Sequence, residues 1–147
     1  MKKRVLVMAS LFALSIVAAT QVAQAQQSMV VNIPFEFVVG NTTLPAGEYY
    51  VESLTGQSAL VLKQRANPSA SAVVPTFATQ ALEPKSDSKL IFNRYENSYF
   101  LSQFWTAGNS RGRQLLKSGR EKEIAKIARI ETQGQVTLVA RLSPVHP

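Results

Sequence analysis

The chain has 147 residues, with 16 Lys and Arg against 9 Asp and Glu, one His and no Cys. Without Cys there is no disulfide framework, no thiolate zinc site and no thiol chemistry. The lone histidine, His146, sits beside the C-terminal Pro147 in a stretch prone to fraying. That argues against Ser–His triads and His-ligated metals, since a catalytic base must be held within hydrogen-bond reach of its proton.

The chain opens with Lys2, Lys3 and Arg4, then an apolar run from Val5 to Ala19 interrupted only by Ser10 and Ser15. Ala23 and Ala25 supply the small residues of a cleavage site. This order is that of a secretory signal peptide over residues 1–25, with the mature chain starting at Gln26. A membrane span needs about 20 predominantly apolar residues, and this run is shorter. The expected location is therefore outside the cytoplasm, periplasmic or extracellular. The basic excess that remains is regional, concentrated between Arg111 and Arg129.

From Val31 to Val39, apolar residues alternate with Asn32, Pro34, Glu36 and Val38. This predicts one half-buried strand, with Pro34 marking an edge or a bulge. Gly40-Asn41 ends it. Leu44-Pro45-Ala46-Gly47 has Pro and Gly where a type I turn takes them. Glu48–Glu52 and Ala59–Gln64 then read as antiparallel strands joined through Thr55-Gly56-Gln57, with Tyr49, Val51, Leu60 and Leu62 inward. Asn67-Pro68-Ser69 is a loop. Ser71–Leu82 is extended but interrupted by Pro75, and Glu83–Asp87 is a polar loop. Lys89–Tyr95 and Ser98–Thr106 form the clearest hairpin, with Asn97 expected to take the positive φ of the tip. Ser118-Gly119-Arg120-Glu121 matches a capping box. It predicts a helix near 119–130 with Ile124, Ile127 and Ala128 on its buried stripe. A last strand runs from Val136 to Leu142.

Short strands followed by one late helix predict an all-β domain over residues 26–147, a small antiparallel β-sandwich or barrel with one C-terminal α-helix. The helix is expected to plug an open end or cover an edge.

Val31–Gly40, Leu44-Pro-Ala-Gly-Glu-Tyr-Tyr-Val51, Leu90–Tyr95 and Tyr99-Phe-Leu101 resemble a family of small exported proteins of soil bacteria, mostly without assigned function. The resemblance covers roughly residues 30–126, including Lys117-Ser118 and Glu121-Lys122-Glu123. It implies a shared fold and carries no catalytic role to any position.

No catalytic, cofactor-binding or metal-binding residue is predicted, and no cofactor. Asp87 is the sole Asp, so no calcium loop is present. Glu36, Glu48 and Glu52 are the only candidates for a carboxylate pair, and strand alternation places Glu36 and Glu48 on a solvent face. Tyr95, Tyr99 and Trp105 are candidate ligand-binding aromatics, with a filled core as the plainer role for Phe100 and Phe104. Arg111, Arg113, Lys117 and Arg120 are candidate contacts to an anionic surface. Nucleic acid is disfavoured by the export signal and the modest mature charge. Two functional readings follow. One is a non-catalytic envelope domain binding an apolar small molecule or a polysaccharide. The other is a structural or interaction protein contacting a partner protein or anionic surface. A carboxylate-dependent hydrolase is the weaker third.

Overall fold

A computed structural model describes residues 28–54, 58–128 and 134–142. The expected export segment, residues 1–25, lies outside them. Within the described residues, twelve short strands form two packed sheets and one helix lies against them. In chain order they are β1 (Met29–Ile33), β2 (Phe37–Val39), β3 (Thr42–Leu44), β4 (Gly47–Leu54), β5 (Ala59–Gln64), β6 (Ser71–Pro75), β7 (Phe77–Gln80), β8 (Lys89–Tyr95), β9 (Ser98–Trp105), β10 (Arg111–Gln114), α1 (Gly119–Ala128), β11 (Gly134–Val139) and β12 (Arg141–Leu142).

The first sheet has the order β12-β1-β4-β5-β6, the second β11-β8-β9-β10-β7. The β2–β3 hairpin joins the second sheet where β2 runs parallel to β9, Val38 opposite Phe100. The expected sandwich is thus present, and its edges are shared between the sheets. β6 and β7 are consecutive pieces of one bent strand, separated only by Thr76, and each is the end strand of its sheet. β11 and β12 do the same at the opposite side, around Ala140. Such corners let one strand serve two sheets.

The single strand expected over Val31–Val39 is instead two. β1 pairs with β4 in the first sheet, and the chain crosses at Pro34–Glu36 to become β2 of the second. Pro34 cannot donate to a ladder, which suits a corner. The alternation still holds across the break, because Val31, Ile33, Phe37 and Val39 all point into the same interior. The expected last strand divides likewise into β11 and β12.

The core fills the space between the sheets. Met29, Val31, Ile33, Tyr49, Val51, Leu60 and Leu62 meet Phe37, Leu90, Phe92, Leu101 and Phe104. Phe37 packs edge-on against Tyr49 and Phe92, with centroids 5.2 and 5.5 Å apart.

The Leu44–Tyr49 segment is a folding device. Leu44 and Tyr49 are buried, and the Tyr49 hydroxyl donates to the Pro45 carbonyl at 2.6 Å. This closes the corner in the way a tyrosine corner does. Gly47 has φ 155°, and a Cβ there would stand 2.4 Å from Gln64 Nε2. Its absence lets the Gln64 amide cross over and donate to the Ala46 carbonyl.

Helix α1 neither plugs an end nor covers an edge. It lies on the outer face of the second sheet, where Ile124 and Ala125 pack on Val38, Tyr95 and Phe100. Its buried stripe also differs from the expected one. Ile127 is 84% exposed, and Glu121 is buried in its place. The Glu121 backbone N–H donates to Ser118 Oγ, the first half of a capping box. The second half is not made as expected: Glu121 Oε1 accepts from Asn93 Nδ2 at 3.0 Å and from the Tyr95 hydroxyl at 3.1 Å. A buried carboxylate needs such donors. Residues 129 and 130 of the expected helix lie outside the described residues, as does the Ala128 side chain.

At the β8–β9 hairpin tip the positive φ falls on Glu96 (52°), not on Asn97. β9 carries an irregularity opposite Ile91/Phe92, where Leu101 and Gln103 face consecutive β8 residues. Ser102 is the extra residue, so Phe100 faces α1 while Leu101 and Phe104 face the core.

Candidate functional site

The three aromatic candidates are not brought together. Tyr95 is 1% exposed beneath α1 with its hydroxyl bound to Glu121, so its side chain is not open to a ligand. Tyr99 sits on the opposite face of its hairpin, stacked on Phe35 at 3.9 Å and 15°, with the Arg94 guanidinium 5.9 Å from its ring. Trp105 lies on the outer face of the second sheet, at the end away from α1.

Cross-strand register fixes what surrounds Trp105. Lys89 of β8 and Gly112 of β10 stand directly beside it, and Thr79 of β7 lies beyond Gly112. The indole covers Gly112 closely enough that a Cβ there would lie 2.6 Å from Cε3. The indole N–H donates to Gln103 Oε1 at 2.9 Å. The Lys85 ammonium stands over the ring, 5.1 Å from its centroid, a cation–π contact. Trp105 is therefore enclosed, with 5% of its surface exposed.

The segment carrying Lys85 is anchored by backbone bonds from Ala81 N to Ser110 O, Lys85 N to Asn109 O and Gly108 N to Lys85 O. Between these ties and the sheet lies an open cleft of about 890 Å³. Thr79, Gln80, Ser86, Lys85 and Lys89 line it with hydroxyl, amide and ammonium groups, and Gln103 and Trp105 belong to the same wall. Glu83 also lines it, so the two ammoniums are partly balanced, and Ala81, Leu82 and Pro84 add apolar surface. Beyond its bond to the indole, Gln103 keeps an amide nitrogen with two hydrogens to donate. The sequence marked Trp105 and missed Lys85 in the polar loop, and Lys89, Gln80 and Gln103 on β8, β7 and β9.

A second, smaller depression of about 280 Å³ lies on the outer face of the first sheet, lined by Tyr50, Glu52, Val61 and Lys63. The carboxylate candidates do not converge. Glu36 is exposed, and Glu48 is paired with Arg65 at 2.8 Å. Glu48 and Glu52 lie four residues apart on β4, about 13 Å at the rise of a strand, beyond the separations that glycoside hydrolysis uses.

The four basic candidates also separate. Arg113 is committed to the β6–β7 corner, with Nε donating to Thr76 Oγ1 at 2.8 Å and Nη2 to the Thr76 carbonyl at 2.9 Å. Arg120 reaches Thr43 Oγ1 at 3.2 Å. Arg111 and Lys117 are exposed. No group of His, Cys, Asp or Glu among the described residues is arranged to hold a metal. No described helix is long and apolar enough to cross a membrane.

Comparison of the chain with protein-family models, with curated proteins and with solved structures gives no match. The functional reading therefore rests on the cleft and its surroundings.

Proposed function

We propose that the protein is an exported, non-catalytic domain of the cell envelope that binds a polysaccharide in the cleft beside Trp105. The observation that carries this reading is the composition of that cleft. Amide, hydroxyl and ammonium groups from β7, the 81–88 segment, β8 and β9 converge on an open trough of about 890 Å³. Arrays of directed donors and acceptors match a polyhydroxylated chain. They do not match an apolar molecule, which prefers a predominantly apolar pocket. The openness of the trough suits a polymer that passes through rather than a small molecule that is enclosed. Export is supported by the order of charge, apolar run and small residues over positions 1–25.

Calorimetric titration with neutral and uronic-acid oligosaccharides tests the reading, with Trp105 emission followed in parallel. Saturable heat, a change in emission, and loss of both in Gln103→Ala and Lys89→Ala are expected. Absence of heat with every glycan, or binding that ignores both substitutions, contradicts it.

The interaction reading is favoured by a different observation. β7 pairs only with β10, and its Phe77 is 53% exposed on the outer face of the sheet. A partner strand added there would pair with the open side of β7.

A further inference from the structure

Helix α1 and the residues before it present an outer surface turned away from the sandwich, tied to it by Arg120 through Thr43 Oγ1. The inner face of the helix is spent on the sheet through Glu121, Ile124 and Ala125. Its outer surface carries Lys117, Arg120, Lys122 and Lys126, all exposed, against a single exposed acid, Glu123. Two large apolar side chains stand in water among these cations: Leu116, 72% exposed, and Ile127, 84% exposed. Single exposed apolar residues need no explanation. Here two of them bracket a cationic helix whose opposite face is already fixed. At 100° per residue Arg120 and Ile127 share one flank of α1, Lys122 and Lys126 share the other, and the one acid, Glu123, lies between them. Exposed cations with apolar side chains beside them, on a surface turned out of a packed domain, are the two features that a peripheral contact with a bilayer combines.

We propose that this surface docks peripherally on an anionic phospholipid bilayer. Leu116 and Ile127 enter the headgroup region, and Lys117, Arg120, Lys122 and Lys126 face the lipid phosphates. Charge complementarity selects the occupant, and the two apolar side chains select a bilayer over a soluble polyanion. The proposal is independent of the glycan reading, since the cleft lies at the other end of the same sheet face.

The test is co-sedimentation of the protein, as purified from the expressing cell, with two kinds of vesicle. One is phosphatidylcholine alone; the other is phosphatidylcholine and phosphatidylglycerol in equal parts. Variants share the parent's N-terminus, so differences between them report on α1. Binding only to the mixed vesicles is expected, falling as salt rises. Lys122→Gln with Lys126→Gln should weaken it about fivefold per neutralised charge. Ile127→Ser, at an exposed position where folding is unaffected, should weaken vesicle binding and leave retention on heparin unchanged. Equal binding to both vesicles, or no binding, overturns the proposal. Binding that salt removes but Ile127→Ser does not alter also overturns it, since the surface is then an unspecific cation patch.

Discussion

Gly112→Ala probes the construction of the cleft wall most sharply. The added methyl would stand 2.6, 2.7 and 2.9 Å from Cε3, Cδ2 and Cζ3 of Trp105. Carbon atoms settle at about 3.5–4.0 Å, so the ring must lift by about 1 Å. Lifting it toward the cleft disturbs both of its contacts, with the Lys85 ammonium above it and with Gln103, which holds its N–H at 2.9 Å. Overpacking of this kind costs about 1–3 kcal/mol, and loss of the indole bond adds about 1 kcal/mol. Replacing Gly by Ala within a strand returns about 0.5–1 kcal/mol. The expected net loss is about 2 kcal/mol. Urea unfolding followed by tryptophan emission reads it directly, because Trp105 is the only Trp. The native emission should also shift to longer wavelength as the ring becomes wetter. A variant as stable as the parent, with unchanged emission, would refute the enclosed packing of Trp105.

Tyr49→Phe should cost about 0.5–1.5 kcal/mol in thermal unfolding, because it removes the bond to the Pro45 carbonyl. Burial pushes the Tyr49 phenol above its ordinary 10.0. The unfolded chain therefore loses this proton first, and stability, full below pH 10, falls as pH rises through the folded-state value. Tyr49→Phe should lack that part of the alkaline loss. Arg113→Met should cost about 2 kcal/mol in urea unfolding, since a charged donor is worth about 1.5–3 kcal/mol. Arg113→Lys should recover little of it, because an ammonium cannot reproduce the planar fork on Thr76.

Much of the fold was legible in period-two patterning, because alternate residues from Met29 to Leu62 do turn into one interior. The strand corners were not. A strand that bends from one sheet into the other keeps the same parity toward the shared core, so Val31–Val39 reads as continuous across Pro34–Glu36. Pro34 and Pro75 carried the signal of a break, but not the change of sheet. The stripe on α1 was misread because hydrophobicity ranks Ile127 above Glu121. Only the donors of Asn93 and Tyr95, set on the outer face by strand alternation, make the carboxylate the better inward residue. Consecutive apolar pairs such as Phe100-Leu101 and Phe104-Trp105 are what a strand covered on both faces looks like, a pattern that half-buried strands do not give. Of the site, Trp105 could be named. Its neighbours could not, since Lys85, Gln80 and Gln103 meet only through the β8–β9–β10–β7 register.

Amide chemical-shift mapping during titration with an oligosaccharide gives the most direct answer about the cleft. Perturbations confined to Thr79–Ser86, Lys89, Gln103 and the Trp105 indole N–H are expected. Shifts confined to Tyr50, Glu52, Val61 and Lys63 on the far sheet, or none at saturating glycan, would contradict a binding trough beside Trp105.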